Sequence, residues 1–195
     1  MNIKLFEYSK TKKKKGTGKF TDYLFIFVCL ILLFLIGYNE DEEEYNMEEV
    51  AKLEESLIVW NTEKAKYEDS YQYSTSFSSW VGFGNETTLV IRNNEIVERQ
   101  YNEFDRDGTT DSWSENKKEE LGTHQEGAEL KLIDTLYREC KNMLLTTNPS
   151  KNYIDLSFNE NGILQTCTYS HKDCADDCSS GVRIDTIEFL EEKSP

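Results

Sequence analysis

The sequence lacks the short motifs that mark the common enzyme classes. It contains no phosphate-binding P-loop, no dinucleotide fingerprint, no H-E-x-x-H zinc helix and no G-x-S-x-G nucleophile turn. Its two histidines, His124 and His171, both lie in polar stretches. An acid-rich chain holds many carboxylate pairs, so no single pair stands out as a catalytic dyad. These absences make an enzyme the minority interpretation and predict no cofactor.

Basic residues are scarce over most of the chain. The formal net charge is -15, and 35 of the 37 acidic residues but only 15 of the 22 basic residues follow Tyr38. A domain this acidic repels nucleic acid and anionic lipid head groups. The composition therefore argues against a nucleic-acid partner.

One apolar run without a charged side chain covers the sixteen residues 23–38. A membrane-spanning helix needs about 20 residues, and the flanking Phe20 and the terminal tyrosines extend the run toward that length. Lysines precede the run and acidic residues follow it, which predicts a type II orientation. The predicted organisation is a basic cytoplasmic tail (1–22), a transmembrane signal-anchor (23–38), an acidic spacer (39–46) and an extracellular or lumenal domain (47–195).

Cleavage of residues 1–38 as a signal peptide is the alternative, and it would make the protein secreted. A cleavage site requires small residues after the apolar run, whereas this run ends Leu35-Ile36-Gly37-Tyr38 and continues into acidic residues. The uncleaved anchor is therefore favoured. A buried helix of a soluble protein is a poor explanation, because the run has no polar face.

Two segments of the outer domain show apolar residues at three- and four-residue intervals, which predicts two amphipathic helices. The first runs from Met47 to near Tyr67. The second carries the apolar positions from Leu130 to Leu144 and ends before Pro149.

Alternating polar and apolar residues predict the strands of the same domain. Asn93-Asn94 and Asn161-Gly162 are typical of hairpin turns, and residues 105–127 are polar enough to predict a long loop. The predicted fold class is α+β, with one antiparallel sheet of about five to six strands packed by two helices and preceded by one transmembrane helix. The predicted strands are residues 71–77, 87–92, 96–101, 153–158, 163–169 and 182–190.

Four of the five cysteines follow the apolar run, and an even number on that side predicts two disulfide bonds. Three connectivities are possible. The favoured one joins Cys140 with Cys167 and Cys174 with Cys178. Cys29 lies within the run and counts as a small apolar residue.

Metal binding is the alternative for the cysteine-rich segment. Cys167, His171, Cys174 and Cys178 offer four zinc ligands within twelve residues, although their spacing matches no common zinc module. The segment from Asp105 to Asp111 carries part of a calcium-loop pattern, but it lacks the third oxygen ligand and the final glutamate. Two disulfide bonds are therefore predicted in preference to a metal site.

Asn85-Glu86-Thr87 is the usable N-glycosylation sequon, and we expect it in a glycine-flanked loop before a strand. An aromatic series precedes it, which would form a carbohydrate or peptide platform if exposed. Aromatic residues that alternate along a strand more often belong to the core. The series is Tyr71, Tyr73, Phe77, Trp80 and Phe83.

The order of features over about residues 57–190 resembles the domain of unknown function 6174 family, whose members are small secreted, lipid-anchored or membrane-tethered domains. The resemblance implies location and architecture, and the family has no established activity to carry over. Ser78-Ser79-Trp80 and Asn161-Gly162-Ile163 replace the family's cysteines and its Gly-Tyr-Pro turn, so no disulfide transfers. The matching residues are Trp60, Tyr67, Tyr71, Tyr73, Thr88 to Arg92, Ile96, Val97, Leu132 to Tyr137 and the segment Tyr153 to Gly162.

Three functions remain in competition. The leading hypothesis is an acidic, non-enzymatic binding module that recognises a protein or a glycan while residues 23–38 hold it in the membrane. The second is an anchored or secreted enzyme inhibitor, since acidic loops can block a basic cleft. The third is a hydrolase or metal-dependent enzyme that uses His171.

Overall fold

Two helices pack side by side in opposite directions along the domain. The computed structural model describes residues 46–175 and 178–191, and its first helix is α1 (Met47–Ala65). The second helix, α2, is Ile133–Thr146. Each helix buries one stripe of side chains. The start of α1 is joined to the end of α2, because Asn46 Nδ2 donates to the carbonyl oxygens of Leu144 and Thr147 at 2.5 and 2.9 Å. Both predicted helices are confirmed.

Eight strands are present in the described residues. They are β1 (Tyr71–Ser78), β2 (Gly84–Arg92), β3 (Glu95–Asp105), β4 (Gly108–Glu115), β5 (Asn152–Phe158), β6 (Leu164–His171), β7 (Ser180–Arg183) and β8 (Thr186–Phe189). The predicted α+β class is confirmed. The Asn93-Asn94 turn joins β2 to β3, and both asparagines have positive φ, as a tight hairpin requires.

The strands form two antiparallel sheets, so the prediction of one sheet is wrong. Sheet A has the order β4-β3-β2-β1-β8, and sheet B has the order β5-β6-β7. The predicted strand over residues 182–190 is in fact two strands, because the chain changes partner there. Ile184 N–H donates to the Gln165 carbonyl of sheet B, and Asp185 N–H donates to the Ser74 carbonyl of sheet A. The apolar positions shift by one residue there, from Val182 and Ile184 to Ile187 and Phe189, and the sequence analysis missed this shift.

The predicted loop over residues 105–127 contains a strand that the sequence analysis missed. Strand β4 occupies Gly108–Glu115 at the edge of sheet A, and six of its eight residues are exposed. An edge strand with so little burial has no apolar alternation to predict it.

The core lies between the helices and the two sheets. Trp60 is fully buried at its centre, with its ring 4.8 Å from that of Tyr71 in an edge-to-face contact and 5.9 Å from that of Phe189. The Tyr137 hydroxyl hydrogen-bonds with Ser56 at 2.7 Å and accepts from Leu164 N–H at 2.9 Å, which ties both helices to sheet B. The buried Tyr137 hydroxyl is therefore paired, as burial demands.

Predictions on residues 1–22, 23–38 and 39–45 lie outside the described residues. Within residues 46–175 and 178–191, neither helix is long and apolar enough to cross a membrane.

Candidate functional site

An exposed aromatic turn projects from one end of sheet A. The turn joins β1 to β2 and is closed by hydrogen bonds from Ser79 N–H to the Phe83 carbonyl and from Gly82 N–H to the Ser79 carbonyl. Trp80 stands at its apex with 84% of its surface exposed. Phe77 and Phe83, at the base of the turn, are about half exposed. The aromatic series therefore divides: Tyr71 and Tyr73 belong to the core, and the last three residues face solvent.

A second turn lies against the first and supports it. Arg106, in the turn from β3 to β4, donates from Nε to the Val81 carbonyl at 2.6 Å. Gly82 has φ +93°, and a Cβ atom there would lie 2.7 Å from Arg106 Cγ. Only glycine fits this conformation and this close approach. We call the two turns, residues 78–84 and 105–108, the distal tip.

The surface around the distal tip is acidic. Glu103, Asp105, Asp107 and Asp111 are all exposed on β3, β4 and the turn between them. The one basic side chain in this stretch is Arg106, and its Nε is engaged with backbone. Asp105 and Asp111 accept hydrogen bonds from nearby backbone N–H groups, as carboxylates do in turns. The tip therefore combines an apolar apex with a negatively charged rim.

A buried ion pair stabilises the sheet behind the rim. Arg99 and Glu115 are 4% and 1% exposed, and they face each other across β3 and β4. Arg99 donates to both carboxylate oxygens of Glu115 at 2.9 Å in a two-pronged contact. The same guanidinium donates to the carbonyl oxygens of His124 and Ala128. The pair thus binds the segment 116–128 to the sheet.

Glu115 also receives hydrogen bonds from that segment. The backbone N–H groups of Gly122 and His124 donate to it at 2.7 and 2.8 Å, and the Thr123 hydroxyl donates at 3.2 Å. Burial disfavours the charged carboxylate, but the hydrogen bonds from Arg99, His124 and Gly122 outweigh burial and hold the pKa of Glu115 well below its usual range. The carboxylate is therefore charged at neutral pH and acts as an anchor.

His124 is part of this anchor. Its Nδ1 lies 2.9 Å from Glu115, and its ring stacks on Trp113 at 4.1 Å. Trp113 in turn stacks on Tyr101 at 5.2 Å. These contacts hold the imidazole between a carboxylate and an indole. His124 therefore has a structural role. The sequence analysis missed this cluster, because residues 105–127 were predicted as a loop and Glu115 was therefore assigned to no strand.

The cysteines pair as the sequence analysis favours. Cys140 and Cys167 are fully buried, and their Cα atoms are 5.7 Å apart in a disulfide that joins α2 to β6. Cys174 and Cys178 form a second disulfide across four positions of the chain. Because Cys167 is bonded to Cys140, the proposed zinc ligand set is broken. In residues 46–175 and 178–191, no three potential ligands converge on a metal site.

His171 is the last residue of β6, and its side chain is exposed. Its ring nitrogen lies 3.8 Å from an Asp173 oxygen, and both side chains are exposed. That geometry is an ordinary surface contact. The enzyme hypothesis that uses His171 stays a prediction.

The sequon residue Asn85 lies inside β2, so its expected place in a loop before the strand is wrong. It is half-buried and pairs with Phe77 on β1 and Glu103 on β3. The sequon hydroxyl of Thr87 is 1% exposed and accepts a hydrogen bond from Ala128 N–H at 3.0 Å. The strand begins at Gly84, earlier than the apolar alternation indicates.

Two grooves lie on the described part of the domain. One, of about 550 Å³, lies beside the β2–β3 turn and includes Ile96, Val97 and Leu132. The other, of about 330 Å³, lies between the start of α1 and β5 and includes Glu49 and Lys52. Neither brings together a set of titratable groups suited to chemistry. The distal tip is therefore the candidate functional site.

Comparison with protein-family models, curated proteins and solved structures finds no match to this chain.

Proposed function

We propose that this chain is a single-pass type II membrane protein whose outer domain recognises a basic partner protein through the distal tip. The main support for this proposal is the exposure of Trp80 at the apex of a turn that Arg106 stabilises by a hydrogen bond. Tryptophan is enriched among the residues that dominate binding energy, and an exposed apolar group with a polar rim is typical of interaction sites.

The acidic rim favours a basic partner. Four exposed carboxylates on residues 103–111 create a negative potential beside an apolar apex. Complementary charge speeds association and excludes partners of the wrong sign. The partner proposed here is a protein with an apolar pocket bordered by lysine and arginine.

Membrane attachment and orientation belong to the same proposal. Support comes from the lysines before residues 23–38, from the acidic residues after them, and from two disulfides, which persist in oxidising compartments. The resemblance to the domain of unknown function 6174 family is also part of it, since that family consists of secreted or tethered domains.

The first experiment selects binders from a random peptide library displayed on phage, with the full chain in lipid nanodiscs as bait. We expect enriched peptides to carry lysine or arginine next to aromatic or aliphatic residues. Trp80→Ala should weaken their binding about tenfold or more, because truncation of a central anchor costs roughly 2 kcal/mol. Binding should also weaken as salt is added.

Tyr153→Ala is the matched control, because Tyr153 is an exposed aromatic residue on β5 of the other sheet. Equal losses in the two variants, or selected peptides without basic residues, would contradict the proposed site. Orientation is tested separately by protease protection of the full chain in sealed microsomes. Digestion of the outer domain from the cytosolic side would refute the type II orientation.

An enzyme inhibitor is the second candidate, and the projecting shape of the turn favours it. A rigid turn with an apolar apex can enter a cleft, and the rim matches a basic active site. Inhibition of one member of a hydrolase panel, lost in Trp80→Ala but retained in Tyr153→Ala, would support this candidate over simple recognition.

A further inference from the structure

The exposed phenylalanine pair at the base of the distal tip lies directly beside the sequon asparagine. Phe77 and Asn85 are register partners on β1 and β2, so their side chains share one face of sheet A. Phe83 precedes Asn85 by two residues, and its ring centroid is 6.2 Å from that of Phe77 at an angle of 50°. The two rings form an open apolar wall next to the Asn85 amide.

The opposite neighbour of Asn85 is polar. Glu103 is its register partner on β3, and its side chain is exposed. Asn85 therefore stands between an apolar wall and a carboxylate. An N-acetylglucosamine ring attached to this asparagine would have the same two kinds of surface, since its C–H groups lie on its faces and its hydroxyl and amide groups lie on its rim.

We propose that Asn85 carries an N-linked glycan and that the first N-acetylglucosamine packs on the rings of Phe77 and Phe83. Each ring is about half exposed, at 49% and 51%. Burial of apolar surface and contact of C–H groups with aromatic faces both favour this arrangement. The Glu103 carboxylate accepts hydrogen bonds from the polar rim of the sugar.

The modification is an ordinary group transfer. Asn85 Nδ2 forms a bond to C1 of the first sugar of a lipid-diphosphate-linked oligosaccharide. The bond from C1 to the diphosphate oxygen breaks, the lipid diphosphate leaves with the electron pair, and the amide loses one proton. In the folded domain the Thr87 hydroxyl of the sequon is buried against Ala128 N–H, so transfer precedes folding.

This inference shares with the proposed function the location of the domain outside the cytosol, and it also uses Phe83 from the distal tip and Glu103 from its acidic rim. It assigns Phe77 and Phe83 to the glycan and leaves Trp80 as the aromatic group presented to a partner. It also predicts that the sugar contributes to the stability of the folded domain.

The test uses the full chain expressed in a eukaryotic secretory host. A glycosidase-sensitive gel shift should be present in the natural chain and absent in Asn85→Gln. The glycosylated chain should unfold about 2–4 °C above Asn85→Gln, which is the shift expected from one ordinary stabilising contact in a domain of this size. An endoglycosidase that leaves a single N-acetylglucosamine should preserve that difference, because the first sugar makes the contact.

A second variant tests the packing of the sugar on the two rings separately from the attachment of the glycan to Asn85. Phe77→Ala with Phe83→Ala should still be glycosylated, but removal of Asn85 from that background should no longer lower the unfolding temperature. If the difference between glycosylated and unglycosylated chains is the same with and without the two rings, the packing proposal is overturned.

A second sequon, used as a reporter, distinguishes a domain that lies outside the cytosol without a glycan on Asn85 from a domain that lies in the cytosol. Lys118→Thr gives the exposed residue Asn116 the same sequon. Glycan on Asn116 but not on Asn85 would overturn the inference and leave the outer location intact. Glycan on neither would overturn both. Glycan on both, with the stability difference abolished by the ring variants, is the expected result.

Discussion

Replacement of Glu115 by glutamine tests whether the buried ion pair holds the segment 116–128 on sheet A. The substitution keeps the size of the side chain and removes its charge. Arg99 would then remain 4% exposed without a charged partner. The Gly122 and His124 N–H groups, which now donate to a carboxylate, would meet a weaker acceptor.

The expected cost follows from the burial of both partners. Removal of one member of a buried ion pair costs about 3–5 kcal/mol, because the other charge stays desolvated. Arg99 keeps the carbonyl oxygens of His124 and Ala128 as acceptors, so the expected value is at the lower end, about 3 kcal/mol. In a domain of this size that loss lowers the unfolding temperature by about 6–12 °C.

Two assays read the effect. Equilibrium unfolding of the full chain in detergent gives the free energy, and limited trypsin digestion at Lys117 and Lys118 reports release of the segment. Glu95→Gln is the control, since Glu95 is an exposed glutamate on β3 and its replacement should cost no more than about 0.5 kcal/mol. A loss below about 1 kcal/mol in Glu115→Gln, with unchanged trypsin cleavage, would refute the reasoning.

The same carboxylate predicts a dependence of stability on pH. The pKa of Glu115 in the folded domain lies below the ordinary value of 4.5, so its contribution is fully present above that value. It is lost as the pH falls below 4.5 toward the pKa of the folded state. The Glu115→Gln variant should show a smaller loss over the same acid range, and identical curves for the two chains would contradict the assignment.

Three further predictions concern other parts of the fold. Replacing Cys140 and Cys167 together by alanine should lower the free energy of unfolding by about 3–4 kcal/mol in urea titrations, because the bridge closes a loop across 27 positions. Burial raises the pKa of Tyr71 and Tyr73 above the ordinary value of 10.0, so stability should fall as the pH rises above 10, with the tyrosinate absorbance of these two residues appearing only on unfolding. Gly127→Ala should cost about 1–3 kcal/mol in thermal unfolding, because φ is +83° there and the added Cβ would crowd a buried hydroxyl.

The helices were the most predictable elements. Val50, Leu53 and Trp60 recur with helical spacing, and α1 buries all three. This succeeds because a helix that packs on one side must place its apolar residues at three- and four-residue intervals. The hairpin turn at Asn93-Asn94 was equally predictable, because local backbone chemistry decides its conformation.

Strand β4 and the anchor around Glu115 were not predictable from local pattern. An edge strand needs no apolar alternation, and a buried arginine and glutamate resemble exposed residues until their partners are known. The six donor atoms of Arg99, Gly122, Thr123 and His124 come from different positions of the chain and meet at one carboxylate only after the segment 116–128 folds back.

The sequence by itself determined the helices, the tight turns and the segregation of charge, because each depends on residues within a few positions of one another. Tertiary structure alone decided the division into two sheets, since the shift in alternation after Ile184 does not say that β7 pairs with β6 and β8 pairs with β1. It also decided which aromatic residues are exposed. Tyr73 is buried and Phe77 is half exposed on the same strand, because the core covers only one end of β1 and leaves the other in solvent.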